Sequence, residues 1–448
     1  MENTLDSGLT AWMLVSASLV LLMTPGLALF YGGMVRTRSV LNMMMMSYGA
    51  MGVVGVIYVL WGWSMSYSSD SVLGIVGNPL THFGLKGAIT DGSGEYILSD
   101  GLPVVVDVGF QVTFAIITVA LISGAIADRA RFGTWLAFTA LWVTFAYFPM
   151  AHMVWGGGLL SGDGPFAAIA EPVDFAGGTV VHINAGVAAL VLALVVGKRK
   201  GFGTVAMRPH NLPLVMLGAA LLWFGWFGFN AGSELAADGV ASLVWVNTTA
   251  ATAAAILGWL LVERLRDGHA TSLGAASGIV AGLVAITPAA GSLSPVGSIA
   301  LGAVAGMICA FAVGLKFRLG FDDSLDVVGV HLVAGLWGTI GIGFLATDGG
   351  LVYGGGFSLL LVQVLIALVA VAISAVVTTV IALALKYTMG WRITEDDEVA
   401  GIDGAVHAES GYDFGGVGAS RPGALLGASS PLPTPSADAA TQSSEVSA

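Results

Sequence analysis

The chain has 448 residues, of which 56% are hydrophobic and only 10% are charged, and its formal net charge is −12. A soluble globular domain carries about 25% charged residues, so this composition excludes that class and indicates a membrane protein. The single cysteine, Cys309, excludes a disulfide framework and a thiolate metal cluster.

Apolar runs that are long enough for a membrane helix, which needs about 20 residues, recur along the whole chain. We predict an all-α polytopic membrane protein with eleven transmembrane helices at residues 10–31, 42–67, 102–127, 133–155, 174–196, 212–231, 240–262, 272–291, 295–317, 326–346 and 357–387. No Lys or Arg precedes Arg36, so the first run lacks the basic start of a cleavable signal peptide. We therefore expect it to remain as a span.

The connections between these spans alternate in charge. Lys86 is the one basic residue that the predicted topology places on the side of the N-terminus. The other side holds the remaining basic residues: Arg36, Arg38, Arg129, Arg131, Lys198, Arg199, Lys200, Arg208, Arg264, Arg266, Lys316, Arg318, Lys386, Arg392 and Arg421. Cytoplasmic loops are enriched in Lys and Arg, so we predict a multi-pass protein of the cell membrane with its N-terminus outside and its C-terminus in the cytoplasm.

Composition also divides the chain into three parts. Residues 1–392 are predicted to form one transmembrane domain, which includes a long polar outer loop at 68–101. Residues 393–418 are acidic and are predicted to be a cytoplasmic regulatory tail. Residues 419–448 are rich in Pro, Ser and Ala and are predicted to be disordered.

Two similar heptapeptides lie inside apolar spans. VVHINAG occupies 180–186 and GVHLVAG occupies 329–335, so each histidine shares a helix face with the Ala and Gly that follow it. An ionisable side chain at membrane depth is costly and is usually functional, which places His182 and His331 in a predicted transport pathway. They fall in the fifth and tenth spans. Five spans per block predict two inverted five-helix repeats plus one peripheral helix.

The two histidines are also compatible with two roles outside transport. Each can be a core imidazole bonded to the backbone, or the pair can be haem ligands of a membrane redox protein, which a Soret band would reveal. If the rings meet beside a lumen, the neutral pair offers both a donor and an acceptor to a small polar solute.

Further candidates lie near the span ends. Asp174 begins the fifth span, either as a helix cap or as a negative charge near the outer mouth, and Asp326 opens the tenth span on the inner side. Trp155 and the aromatic run that contains Trp226 and Phe229 either belong to the interfacial belt or hold a small cation through cation–π attraction.

Several longer motifs resemble those of the ammonium transporters of the Amt/Mep/Rh family. The resemblance extends from residue 10 to about 415. It rests on AHMVWGGG at 151–158, DFAGGTVVHINAG at 174–186, PHNLP at 209–213, GWFGFNAGS at 225–233, ITPAAG at 286–291, DSLDVVGVH at 323–331, and a GID segment followed by HAE and Tyr412.

The resemblance implies a pore lined by His182 and His331, beneath a gate of stacked rings formed by Phe114 and Phe229. An ion crosses an apolar lumen at very high cost, whereas neutral ammonia crosses cheaply. We therefore expect ammonium to lose a proton near the gate and ammonia to pass the histidines, with or without a coupled proton.

The same resemblance implies substrate binding by Trp155 and Ser233, supported by the buried carboxylate of Asp174. It also implies a homotrimer in the lipid bilayer and a PII-type signalling protein as a partner on the cytoplasmic face. We predict a transporter of ammonium in nitrogen metabolism, with no enzymatic activity, cofactor, metal site or nucleic-acid partner. The alternative is an ammonium sensor that signals through residues 393–448.

Overall fold

Long apolar helices follow one another along the chain in the computed structural model, which describes residues 4–412. Within that range, ten helices are long and apolar enough to cross a membrane. They are Ser7–Met34, Val40–Tyr67, Val104–Ile126, Phe132–Trp155, Gly178–Val196, Leu212–Gly232, Gly239–Asp267, Pro295–Leu319, Val328–Leu345 and Ser358–Thr388. The prediction of a helical, multi-pass membrane protein is therefore confirmed.

The eighth predicted span differs from the others. We expected a helix over 272–291, but the helix is Ser272–Ile286, which has 15 residues and a length of about 22 Å. The residues from Thr287 to Leu293 form turns, and the backbone N–H of Ala289 donates to the carbonyl oxygen of Ile286. This helix is shorter than a hydrocarbon core of about 30 Å, so the count of eleven spans stays a prediction.

Side-chain caps fix where several helices begin. Asp6, Asn211, Thr271 and Ser294 each accept a hydrogen bond from a backbone N–H in the first helical turn. Asp238 accepts two such bonds, from Val240 at 2.9 Å and from Ala241 at 3.0 Å. These bonds satisfy donors that the helix itself leaves unpaired, so polar residues between apolar runs set the helix starts.

The long polar loop after the second span forms two small antiparallel ribbons. Ser71–Val72 pairs with Val76–Gly77, and Leu98–Ser99 pairs with Leu102–Pro103. The loop bonds to the connection at 156–177, which bonds in turn to the connection at 287–294, and that one bonds to 346–357. The connection at 233–238 lines the same cavity as 156–177. We call it the acidic end.

Basic connections meet at the opposite end, which we call the basic end. Arg129 donates to the carbonyl oxygens of Gly197 at 2.8 Å and Asp322 at 2.7 Å, which ties three connections together. Arg199 donates to both carboxylate oxygens of Asp322 and also reaches Asp128 at 3.2 Å. The connections at 127–131, 197–211 and 320–327 are thus joined by a buried ion network.

The acidic segment after the last span packs against the basic end. Glu395–Ala400 is a short helix, and the carboxylate of Glu398 accepts from the Lys200 backbone N–H at 2.7 Å and from Arg392 at 2.6 Å. The part of the chain up to Gly411 is one compact unit. The predicted disordered tail, and the end of the predicted regulatory tail, lie outside the described residues, and the division into three parts stays a prediction.

Candidate functional site

The two predicted pore histidines face each other in the middle of the molecule. His182 and His331 approach to 3.3 Å between their Nδ1 atoms, and their ring centroids are 5.4 Å apart. Both are buried. One Nδ1 donates and the other accepts, so a neutral pair leaves one Nε2 as an acceptor and the other Nε2 as an N–H donor.

Each histidine lies in a short π-helical segment rather than in a regular α-helix. The segments are Gly178–Ile183 and Val328–Leu332, and each continues into an α-helix. A π-helical turn inserts a residue relative to the α-helix and is frequent at functional sites. The turn therefore changes the direction in which each imidazole leaves its helix.

Glycines let the backbones of the two segments pack directly against each other where they cross. A Cβ atom on Gly335 would lie 3.0 Å from Cβ of His182, and one on Gly186 would lie 2.6 Å from the backbone N of Leu332. Each heptapeptide thus contributes a glycine that packs against the histidine segment of the other. The Gly of each heptapeptide is needed because a side chain there would push the imidazoles apart.

Carboxylates cap the start of both segments. Oδ1 of Asp174 accepts from the N–H groups of Gly177 and Gly178 at 2.9 and 2.6 Å, and Oδ2 accepts from the backbone and hydroxyl of Thr179. Of the two interpretations left open for Asp174, the helix cap is therefore the one observed.

The carboxylate that caps the second π-helical segment is not the one we expected. Asp323, not Asp326, accepts from the N–H groups of Val327 and Val328, at 3.0 and 2.7 Å. Asp326 has a left-handed backbone with φ of 62° and pairs with Lys316 at 2.7 Å. The chain turns at Asp326 before the π-helical segment starts, so the carboxylate three residues earlier faces the free N–H groups.

Two phenylalanine rings close the space between the histidines and the acidic end. Phe114 and Phe229 lie 4.1 Å apart between ring centroids, with an interplanar angle of 32°, and Phe229 is 6.2 Å from the ring of His182. Neither ring is more than 1% exposed. The four residues therefore form one continuous column.

A cavity of about 700 Å³ opens beyond this ring pair at the acidic end, and we call it the vestibule. Trp155, Ser233, Asp174 and Phe114 all line it. Trp155 donates from Nε1 to the backbone oxygen of Asp174 at 3.0 Å and packs edge-on against Phe114 at 6.1 Å. Ser233 donates its hydroxyl proton to the Phe229 carbonyl at 2.7 Å, which leaves its oxygen free to accept.

The space beside the histidines is far smaller. It offers about 10 Å³ to the centre of a water-sized molecule, which is room for about one such molecule. Apolar side chains form most of its wall, together with His182, His331 and Trp226. Nε2 of His182 has no hydrogen-bond partner within residues 4–412. A small neutral molecule with both a donor and an acceptor fits this space.

Trp226 was only partly anticipated by the sequence. We considered it for the interfacial belt or a cation cage, but it is buried and stacks on His182 with 5.5 Å between ring centroids. Its Nε1 donates to Thr287 at 2.8 Å. Helical spacing was the available signal, because Trp226 and Phe229 are three residues apart and share one face.

Sequence reasoning assigned only part of the vestibule wall to the site. Tyr67, Asp107 and Gln111 are among the residues that it missed, and they line the cavity together with the predicted residues. Asp107 lies inside the helix Val104–Ile122. An acidic residue within an apolar span is a signal that points to function, and it was available in the sequence.

Comparison with known proteins agrees with this geometry. The Ammonium Transporter Family model matches residues 11–412. An ammonium transporter of Mycobacterium bovis is 58% identical over 434 residues, which cover 91% of each chain. The chain belongs to the ammonium transporter family. It is a multi-pass membrane protein, and its relatives in this family are transporters rather than enzymes.

Solved structures of the family share its architecture. The crystal structure of Candida albicans Mep2 superposes with a TM-score of 0.79 at 32% identity and covers 88% of both chains. A structure described as a sensor Amt protein superposes with a TM-score of 0.80 at 28% identity, over 89% of this chain and 97% of that one.

Proposed function

We propose that this ammonium transporter recruits ammonium in the vestibule, removes a proton there, and conducts ammonia past His182 and His331. The observation that carries the proposal is the order and size of the cavities along the column. A wide polar vestibule is separated by Phe114 and Phe229 from an apolar space for about one water-sized molecule. A hydrated cation does not fit this narrow space, whereas one molecule of ammonia does.

Recognition at the vestibule relies on groups that accept hydrogen bonds or attract a cation. Trp155 is half-buried and lies next to the ring pair, and its π face attracts a cation by about 0.5–2 kcal/mol. The Ser233 oxygen keeps its lone pairs for an incoming N–H. Asp174 supports both the tryptophan and the histidine segment, since it caps the helix start and carries the carbonyl that Trp155 binds.

Passage through the column favours the neutral molecule. Burying an isolated ammonium ion costs far more than burying ammonia, because the ion loses its hydration without a paired charge. The histidine pair presents one acceptor and one N–H donor, which match the donor and lone pair of ammonia. The proton either stays behind or follows along the same pair.

The arrangement of charges supports the proposed orientation. Basic connections meet at one end, and Lys86 alone lies in the loop at the other end. We place the basic end in the cytoplasm by the enrichment of Lys and Arg in cytoplasmic loops. Transport then runs inward from the vestibule. As in the family resemblance, we propose a homotrimer and a PII-type protein as a partner at the cytoplasmic face.

An ammonium jump on proteoliposomes tests the transport proposal, with current and internal pH recorded together. The comparison includes the wild-type protein, His182→Ala, protein-free liposomes and a control, His269→Ala, which removes an exposed loop histidine. A protein-dependent current that changes in His182→Ala but not in His269→Ala means that charge crosses along the histidines. Alkalinisation inside without current means that ammonia crosses alone. Absence of both overturns the transport proposal.

A second candidate function is ammonium sensing through the cytoplasmic segment. The likeness to the structure described as a sensor Amt protein favours it, since that likeness covers 89% of this chain. A sensor binds the same ligand without needing net flux. Protein-dependent transport in the experiment above therefore counts against a role in sensing alone.

A further inference from the structure

Within the part of the chain that the structure describes, four carboxylates line the vestibule, and the transport proposal uses only Asp174. Asp107 is the one on the helix that carries Phe114. Its Oδ1 atom is buried and has no hydrogen-bond partner among residues 4–412. Gln111, four residues further along the same helix, also lines the vestibule. Buried polar atoms are nearly always hydrogen-bonded, so a side chain that lines an open cavity and has a carboxylate oxygen without a donor indicates a site for a ligand that donates. Rotation of the carboxylate about its Cβ–Cγ bond turns this oxygen toward the cavity.

Asp174 does not have this capacity. Its two oxygens already accept from the backbone of Gly177, Gly178 and Thr179, and from the Thr179 hydroxyl. A carboxylate has about four lone-pair positions, and these bonds occupy them. Asp174 therefore acts on a cation in the vestibule only through its charge and through Trp155. Asp163 and Glu171 also line the vestibule but are exposed, so Asp107 is the less exposed carboxylate there with acceptor positions to spare.

The position of Asp107 suits a ligand on its way to the gate. Asp107, Gln111 and Phe114 are spaced by four and three residues on the helix Val104–Ile122, so they follow one face. Seven residues correspond to about 10 Å along the axis, which places Asp107 about two turns beyond the ring pair. Phe114 forms the gate, and the other two residues line the vestibule above it.

A second residue of the vestibule wall also has an unpaired oxygen. Tyr67 lines the cavity, and its buried hydroxyl has no hydrogen-bond partner in the described part of the chain. Tyr67 and Asp107 come from different helices, Trp63–Tyr67 and Val104–Ile122, so the fold brings them together. Two oxygen acceptors and one negative charge match a small cation that carries several N–H donors.

We propose that Asp107 is a direct ligand of ammonium in the vestibule, which holds the cation before it moves to Trp155 and Ser233. This inference rests on the proposed function, because it names a residue that binds the transported ion. The ligand class is ammonium or a small alkylammonium ion. The carboxylate accepts a charge-assisted hydrogen bond from the cation, and the Tyr67 oxygen accepts another.

The test compares Asp107→Asn with wild type by two independent readouts. The first is the ammonium concentration that gives half-maximal transport in proteoliposomes. The second is the ammonium concentration needed for half of the ligand-induced rise in Tm of the purified protein, against an equal concentration of sodium salt. Loss of a charge-assisted hydrogen bond predicts an increase of about tenfold in both values.

Two further variants make the comparison specific. Glu171→Gln removes an exposed carboxylate from the wall of the same cavity, and its effect is expected to be smaller and to vanish at high ionic strength. Asp107→Glu keeps the carboxylate and is expected to recover part of the affinity. The elution volume and the Tm without ammonium show that each variant is folded.

The outcomes separate this inference from the transport proposal. A tenfold shift in both readouts for Asp107→Asn alone supports Asp107 as a ligand. A thermal titration within twofold of wild type overturns the inference, even if transport is intact. If wild type binds ammonium and Asp107→Asn does not, but neither transports, the inference stands and the transport proposal fails.

Discussion

Phe114 is the residue that separates the two spaces of the column. Its ring is buried between Phe229 at 4.1 Å and Trp155 at 6.1 Å, and it belongs to the wall of the vestibule. We expect Phe114→Ala to join the vestibule to the narrow space and let hydrated ions enter. The measurement is a potassium-driven current in proteoliposomes, which is expected to rise at least tenfold above wild type.

Phe138→Ala is the matched control for this change. Phe138 is also fully buried, but its ring lies between Trp135 and Trp142, away from the column. Both truncations cost about 3–5 kcal/mol of unfolding free energy, so they separate loss of packing from loss of the gate. A Phe114→Ala protein that still excludes potassium as well as Phe138→Ala does would show that another group closes the column.

For individual residues, the sequence motifs predicted which side chains lie together in the column but not all of the side chains that surround them. The histidine pair and the ring pair lie together as the family resemblance implied, because each belongs to a long motif. Trp226 and Asp107 were not assigned to the site. Whether an aromatic ring faces lipid or lumen depends on the rotation of its helix, and a short apolar run does not specify that rotation.

The two histidine segments cross where Gly186 of one helix packs against the backbone of the other. Gly186 packs so closely that an added Cβ would lie 2.6 Å from Leu332 N. We expect Gly186→Ala to push the segments apart, lower ammonium transport at least fivefold and cost about 1–3 kcal/mol of unfolding free energy. The measurements are initial transport rate and Tm on the same preparation.

Gly52→Ala is the control for Gly186→Ala. Gly52 also lies inside a long helix, Val40–Ile57, but a Cβ there meets nothing within 4 Å. Alanine favours the helix over glycine by about 1 kcal/mol, so this variant is expected to transport normally and to be slightly more stable. Equal behaviour of the two alanine variants would refute a role for close packing at Gly186.

The lengths of the apolar runs predicted where the helices lie along the chain. The periodicity of the sequence did not predict their π-helical turns or all of their ends. Predicted spans such as 10–31 and 212–231 coincide with Ser7–Met34 and Leu212–Gly232. The π-helical turns were missed because the heptapeptides were interpreted with regular α-helical spacing. The helix Ser272–Ile286 was predicted too long because the residues after it are apolar although they form turns.

Buried ion pairs hold the connections of the basic end together. In the sequence, their basic residues indicated only the orientation of the chain in the membrane. Asp322 is fully buried and accepts from the backbone N–H, Nε and Nη2 of Arg199, at 2.8 to 2.9 Å. We expect Asp322→Asn to cost about 3–5 kcal/mol of unfolding free energy, because it leaves the buried guanidinium of Arg199 with Asp128 alone as its charge partner. Unfolding of purified protein in increasing denaturant measures the loss.

The pH dependence of that loss follows from the Asp322 pKa. Burial acts to raise this pKa, but the hydrogen bonds and charge of Arg199, together with the charge of Arg129, outweigh it and hold the pKa below its ordinary value of 3.8. The stabilisation is therefore complete above 3.8 and is lost only as the pH falls through the lower folded value. Asp267→Asn, which removes an exposed pair with Arg266, is expected to cost at most about 1 kcal/mol at any pH.

The segment after the last span is attached through two buried carboxylates, Asp403 and Glu398, and Glu398 is the one that binds Arg392. Only 1% of this residue is exposed, and its two oxygens accept from the Lys200 backbone N–H and from Arg392, while its carbonyl oxygen accepts from Arg36. A glutamine offers one acceptor and an NH₂ group that faces the donors. We therefore expect Glu398→Gln to release residues 393–411 from the basic end.

Hydrogen–deuterium exchange of the amides in residues 393–411 measures this release. We expect exchange at least tenfold faster in Glu398→Gln than in wild type, because opening of the segment then costs less by about 1.4 kcal/mol or more. Glu395→Gln is the control, since it removes an ion pair with Lys200 that is 2.9 Å long but exposed on both sides. Equal exchange in the two variants would mean that the contacts of Asp403 with the backbone of Leu41 and Asn42 hold the segment instead. The two outcomes assign the attachment either to the ion cluster of the basic end or to the start of the second span.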